Sequence, residues 1–391
     1  MIGKICGFTW VLKRESNMNE IEIRKVSSRR ALKKFVDFPF QLYKDNSFWV
    51  PPIKSDEIKT LREDKNPVFE YCEAEYWIAF RDNKPVGRIA GIINHHEVER
   101  WNARLARFGW IDFIDDQEVS RILIETVKNW SKAKGMTTLH GPLGFTSMDA
   151  AGMLIEGFEE ISSLSAIYNF PYYADHMQKL GFRKATDLVQ YEIRTPSEIP
   201  EKVERITRIV LQKYSMHLLK PRKVKELRPY TEKMFSIYNK AFHDLYGFTA
   251  LTKRQIDYYS KKYLRLIRPD FISLVIDAQD DVVGFGITMP SLSRALQKTK
   301  GSLLPFGFIH LLRALRKNDM AHMYLVGVRP DYQGKGLLAL VFQDIYLTFI
   351  DNGIKLAQTL PQLEDNLKAV SIWKNYDSRV HIRRRCWILD M

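Results

Sequence analysis

Hydrophobic residues recur along the chain with two different periods. The apolar runs Tyr76 to Phe80 and Pro85 to Ile93 flank the polar turn Arg81 to Lys84, the pattern of a β-hairpin. Arg107 to Phe113 predicts the next strand. Val119 to Lys132 then places Val119, Ile122, Leu123, Val127 and Trp130 at amphipathic-helix spacing. Leu188 to Ile193 predicts a further strand, and the polar, proline-containing stretch Arg194 to Pro200 precedes a new helical pattern from Glu201. A similar order then returns. Phe271 to Ile276 and Val282 to Thr288 predict a hairpin around Asp280 and Asp281, followed by a strand over Met323 to Val328 and a helix over Leu337 to Ile350. The repetition predicts an α/β chain of two domains, residues 18–196 and 197–391, each a mixed sheet flanked by helices.

The second half carries about thirty residues, 289–321, with no counterpart in the first. Within them Leu303 to Lys317 sets Leu304, Phe308, Leu311, Leu312 and Leu315 against Arg313, Arg316 and Lys317. A helix burying one face on its own domain fits this pattern, and so does one lying on a membrane or covering a lipid chain. The length of 391 residues agrees with two domains, and 45% hydrophobic with 27% charged residues describes a folded, soluble chain. No run approaches the roughly 20 apolar residues that a spanning helix needs. The opening Met1 to Leu12 lacks a signal-peptide cleavage pattern, and residues 1–17 read as a non-native or disordered extension before Met18. Three cysteines without a CxxC, and histidines without ligand spacing, predict a cytoplasmic protein with neither disulfides nor a metal site. The formal net charge of +14 implies attraction to a polyanion: nucleic acid, an anionic membrane surface or a phosphorylated cofactor. No recognised nucleic-acid module accompanies it.

The segment Tyr324 to Val341 reads strand, loop, helix, with Gly334 and Gly336 where the loop must turn. Such a loop aims free backbone N–H groups and a helix dipole at one spot, a cradle for pyrophosphate, to which Lys335 adds a charge. A side chain at Gly336 is expected to fill that cradle while leaving the fold intact. A short glycine pattern alone also fits an ordinary strand-to-helix connection. This spacing resembles the signature of the GNAT superfamily of N-acyltransferases. Gln333 and Gly336 match it, after an approach through Val328, Pro330, Asp331 and Tyr332; Leu338 stands where the family has Gly or Ala. The resemblance implies that an acyl-CoA, acetyl or longer, is held by Val326, Val328, Gln333, Gly334, Lys335, Gly336, Leu337 and Leu338. Downstream, Asn366, Ala369 and Trp373 resemble the second GNAT element, and the resemblance implies that Asn366 also contacts the acyl-CoA. Trp373 replaces the tyrosine that reprotonates the thiolate in many members, which leaves Tyr376 as the substitute.

In the first half, Ile114 to Val119 puts acidic residues where the phosphate loop would stand, while Tyr172 to Phe182 resembles a GNAT helix-to-strand ending. Two tandem GNAT-like domains are therefore expected, the first without a cofactor loop, an arrangement similar to Fem-type peptidyltransferases and N-myristoyltransferases. The loop His140 to Thr146, with Asp149 and Ile155 to Phe158 after it, faces the shared cleft on this reading or forms a plain turn. The resemblance implies transfer of the acyl group to an amine, small or lipid-like. His243, Asp244 and Glu364 are candidate bases, and contact with an anionic membrane surface is left open. A non-catalytic acyl-CoA-binding or regulatory protein is the alternative.

Overall fold

The computed structural model describes residues 20–263 and 267–391; the leading segment and Cys6 lie outside them. Strand β1 (Glu22–Lys25) pairs antiparallel with β2 (Cys72–Arg81) across helices α1 (Arg29–Leu42) and α2 (Lys54–Thr60). Ser28 starts α1, its hydroxyl accepting from the Ala31 amide at 3.2 Å. The predicted hairpin joins β2 to β3 (Lys84–Asn94) through Asp82 and Asn83, both at positive φ, which matches the twist of the strands. Next come α3 (His95–Trp101), β4 (Leu105–Phe113), α4 (Gln117–Ala133), β5 (Thr138–Gly141), β6 (Met153–Glu156), α5 (Tyr172–Lys179) and β7 (Arg183–Arg194). The apolar stripe of α4 buries Val119, Leu123 and Val127 against Phe108 and Phe113 of β4.

The second half runs α6 (Glu201–Tyr214), β8 (His217–Leu219), α7 (Val224–Ala241), α8 (Lys253–Tyr263), β9 (Ile272–Ile276) and β10 (Val282–Pro290). The extra residues form α9 (Ser293–Thr299) and α10 (Gly307–Arg316). After them follow β11 (Met320–Val328), α11 (Leu337–Asp351), β12 (Leu356–Thr359), β13 (Gln362–Leu363), α12 (Leu367–Val370) and β14 (Ser378–Asp390). Both predicted sides of the inserted helix are present. Leu311 and Leu315 are buried with Leu292 and Leu296 against Val50 and Ile53, while Leu304, Phe306, Phe308 and Leu312 stand in solvent. No helix among the described residues is long and apolar enough to cross a membrane.

The sheets of the two halves are continuous: one 14-stranded mixed sheet runs β1-β2-β3-β4-β5-β14-β7-β12-β11-β10-β9-β8, with β6 and β13 beside it. The two final strands are exchanged. Strand β14, last in the chain, pairs with β5 of the first half (Trp387 opposite Gly141), and β7 pairs with β12 of the second (Glu192 opposite Gln358). The cores follow the exchange: Trp387 packs with Phe108 and Phe182, and Ile193 with Val341 and Phe349.

Candidate active site

Strand β11 is covered on one edge and open on the other. Antiparallel β10 accompanies it to Val328, but parallel β12 reaches only Met323. There the register shifts: Thr288 faces Met323 and Ile287 faces Leu325, so Tyr324 is the extra residue of a bulge. The Leu360 amide still donates to the Met323 carbonyl at 3.2 Å. The chain then turns away, and β13 pairs with β7 instead. Among the described residues, the β12 side of β11 therefore has no paired strand from Leu325 to Val328.

The loop beyond is held by its own turns. Arg329 donates to Asp331 at 2.8 Å and to Asp277 at 3.4 Å, and this pairing holds the Asp331 carboxyl below its ordinary range. The amides of Tyr332, Gln333 and Lys335 donate back to Arg329, Pro330 and Tyr332. Gly334 and Gly336 take φ of 75° and 84°, and Gly336 caps α11 without a side-chain acceptor. Among the described residues the amides of Gly334, Gly336, Leu337 and Leu338 donate to no backbone or side-chain group. Four free donors at the positive end of a 15-residue helix form an anion cradle. Gln333 closes it over the strand end, donating to the Val328 carbonyl at 3.4 Å, and Lys335 lies exposed over the Tyr332 ring.

Leu337 is buried among core residues and reaches the loop through its free amide. Gly336 differs from expectation. A Cβ on Gly336 would stand 3.0 Å from Val210 of α6, so a side chain there enters the packing and not the cradle. A Cβ on Gly334 would have nothing within 4 Å among the described residues, so a side chain there meets open space beside the free amides of its own loop.

The first half repeats the bulge and closes the opening. Trp110 at φ 44° interrupts β4, which β5 follows only to Arg107. Here the chain after β5 does not turn away: the Leu143 amide donates to the Phe108 carbonyl at 2.9 Å, and its carbonyl would lie 2.3 Å from a Cβ on Gly109. The amides starting α4 are also taken, since Asp116 accepts from Glu118 and Val119 while pairing with Arg81. A carboxylate thus fills the place of an anion.

The loop after Leu143 crosses to the second half. Ser147 Oγ lies 2.6 Å from the Tyr238 hydroxyl of α7, and Thr146 Oγ1 3.3 Å from the Tyr259 hydroxyl of α8. Asp149 lies deep between the halves yet keeps accessible surface. It accepts from the Thr146 amide at 3.0 Å and has no cation within ion-pair distance among the described residues. Burial outweighs the Thr146 amide and Lys262 and pushes its carboxyl above the ordinary range. Tyr263 links it to the bulge: the Asp149 charge raises the Tyr263 hydroxyl, and Tyr263 in turn raises Tyr324, each already raised by burial. The Tyr324 hydroxyl is buried beside Ser165, with no hydrogen bond of good geometry among the described residues.

The other sequence candidates lie in different settings. Trp373 is buried and its indole donates to Gln362 at 2.9 Å, so that donor is committed. Tyr376 packs on Phe342 and Tyr346 of α11, its hydroxyl raised by burial. Asn366 caps α12, accepting from the Ala369 amide at 3.4 Å. Glu364 is tied to Lys184 and to Arg383 at 2.9 Å. His243 is exposed beside Arg100 and 2.8 Å from Asp244. Neither Glu364 nor His243 contacts the cradle among the bonds of the described residues. Sequence reading also passed over a buried polar group on β11, β12, β7 and β14. His322 reaches Gln358 at 3.3 Å, and Arg384 donates to Ile167, Ser162 and Gln190 without a carboxylate partner. Nearby, Glu160, Glu192 and His381 come together, with Arg379 bridging the two carboxylates at 2.8 and 2.9 Å.

No family model matches the chain. Protein YghO of Escherichia coli K12 is 28% identical over 315 residues, covering 80% of this chain and 79% of that protein. The bacterial ceramide synthase of Caulobacter vibrioides is 26% identical over 328 residues, covering 82% and 83%. Among solved structures, a tandem GNAT protein from the clavulanic acid biosynthesis pathway superposes on 95% of this chain and 98% of its own, at a TM-score of 0.55 and 13% identity. A GCN5-related N-acetyltransferase from Sphaerobacter thermophilus covers 95% of each chain at a TM-score of 0.51 and 11% identity. These superpositions extend over both halves of the chain and show its architecture: the chain has the tandem GNAT fold.

Proposed function

We propose that the protein transfers an acyl group from acyl-CoA to an amine. The observation that carries the reading is the open edge of β11 leading into a cradle of four free amides: an extended pantetheine arm fits along an unpaired strand, and a pyrophosphate fits the helix N-terminus. The amine nitrogen attacks the thioester carbonyl, a backbone N–H of β11 beyond the bulge polarises that carbonyl, and the C–S bond breaks. Asp149, desolvated and without a cation partner, takes the proton the amine gives up. Tyr376, kept protonated by burial, is our candidate to return a proton to the thiolate. The relative named bacterial ceramide synthase favours a lipid-like amine, ceramide being an N-acyl lipid.

A thiol-release assay with acyl-CoAs of increasing length against short and long-chain amines tests this. Turnover is expected with at least one pair. Asp149→Asn should lower kcat about 100-fold with little change in acyl-CoA affinity. Tight acyl-CoA binding with no turnover on any amine would instead favour a regulatory acyl-CoA-binding protein.

A further inference from the structure

We propose that α10 and the turn before it dock the protein on an anionic phospholipid bilayer. Leu304, Phe306, Phe308 and Leu312 are 79%, 70%, 45% and 49% exposed, four large apolar side chains within nine positions. Single exposed leucines need no explanation, but a cluster standing above a well-packed helix does. The helix is not loosely attached. Leu311 and Leu315, on the flank of the apolar stripe next to Phe308 and Leu312, anchor it in the core with Leu292, Leu296 and Ile53, so the exposed part of the stripe stands on a packed base.

Charge identifies the occupant. Residues 291–318 contain Arg294, Lys298, Lys300, Arg313, Arg316 and Lys317 and no Asp or Glu, so this stretch alone supplies +6 of the net +14. None of the six pairs with an acid among the described residues, although cation–carboxylate pairs are frequent elsewhere on the surface. Exposed apolar side chains in a segment whose exposed cations have no acid partner match the interface of an anionic membrane, with hydrocarbon beneath phosphate headgroups. A second copy fits worse, because a two-fold contact would bring +6 against +6. The leading residues 1–17 fit worse for the same reason, carrying Lys4, Lys13 and Arg14 against Glu15 alone. The docking segment joins the end of β10 at Pro290 to the start of β11 at Met320, the end of that strand opposite the open segment Leu325 to Val328. This inference does not depend on the acyl-transfer reading.

Vesicle flotation of the full chain without coenzyme tests it, using phosphatidylcholine alone and a mixture with one-third phosphatidylglycerol. Binding is expected to the mixture, at least about tenfold weaker to phosphatidylcholine, and weakened by salt. The double substitution L304E/F306E should abolish flotation without moving the thermal transition, since both side chains are already in solvent. R313E/R316E/K317E should lose the preference for the anionic vesicles. Absence of flotation with either vesicle would overturn the proposal. So would flotation that survives L304E/F306E and disappears when residues 1–17 are removed, or self-association relieved by L304E/F306E in a protein that does not float.

Discussion

Gly334 and Gly336 stand two residues apart at nearly the same φ, yet a side chain would leave them in different directions. One points into open space and the other at Val210. Gly334→Glu should therefore place a carboxylate at the cradle and weaken acyl-CoA binding at least about tenfold, at roughly 1 kcal/mol of strain from the left-handed backbone. Gly336→Glu should instead lower stability by about 2 kcal/mol or more through overpacking against α6. Calorimetric titration and thermal unfolding of both variants separate the outcomes, and equal losses of affinity at unchanged stability would contradict the geometry. Gln333, Gly334 and Gly336 are legible in sequence because a turn is a local event that glycine marks. Asp149, Tyr263 and Tyr324 are not, because their proximity depends on folding segments more than 50 residues apart. The buried histidines were equally hidden, and they make a pH prediction. Burial holds His322 and His381 down at about 4, against 6.5 for free imidazole. Both are neutral above pH 6.5 in either state, so their contribution is fully present there. As pH falls from 6.5 towards 4 the unfolded chain binds protons that the native one refuses, and stability drops by on the order of 2–3 kcal/mol per histidine. Urea unfolding from pH 7.5 to 4.5 should show this decline, flattened in His322→Gln; an unaltered slope in that variant would remove His322 from the account.

At the scale of elements, periodicity located both hairpins, α4, β11 and α11 to within about four residues, because each buries one regular face. The inserted segment was harder. An amphipathic pattern is the same whether its apolar side meets the domain or a membrane, and here the exposed cluster continues beyond the helix into the turn at Leu304 and Phe306. Replacing residues 291–318 with a flexible linker, which connectivity alone would allow, would uncover Val50, Ile53 and Met289. Single substitutions are the better probe. Leu311 and Leu312 are neighbours, 4% and 49% exposed. Leu311→Ala should cost about 2–5 kcal/mol and Leu312→Ala under about 0.5 kcal/mol. Comparable costs from urea midpoints would mean that α10 is not seated as described.

At the scale of the whole molecule the tandem GNAT architecture was legible along the chain, and the partners of its last strands were not, for a topological reason. Sequence order shows that each half ends in a strand, but not whose sheet that strand enters. Residues 18–196 contain β7, which in the fold lies between β14 and β12, while residues 197–391 contain β14, which lies between β5 and β7. Cutting between Arg194 and Pro200 therefore separates two units in sequence that we propose are one unit in folding. Alone, the first fragment would lack Trp387 from its core and leave the inner edge of β5 unpaired. The second would lack Ile193 and leave β14 without either neighbour. Lost core side chains of this size destabilise by several kcal/mol, a large part of the 5–15 kcal/mol that holds a typical domain together. Open strand edges would add a tendency to aggregate. Expressed separately, 18–196 and 197–391 should be insoluble or lack a cooperative thermal transition. Expressed together, they should form a one-to-one complex with the secondary structure of the intact chain, because β7 and β14 reach their partners without a covalent link. Size-exclusion chromatography with circular dichroism distinguishes the cases, and a cooperative transition in either fragment alone would show that the exchanged strands are accessory to the fold.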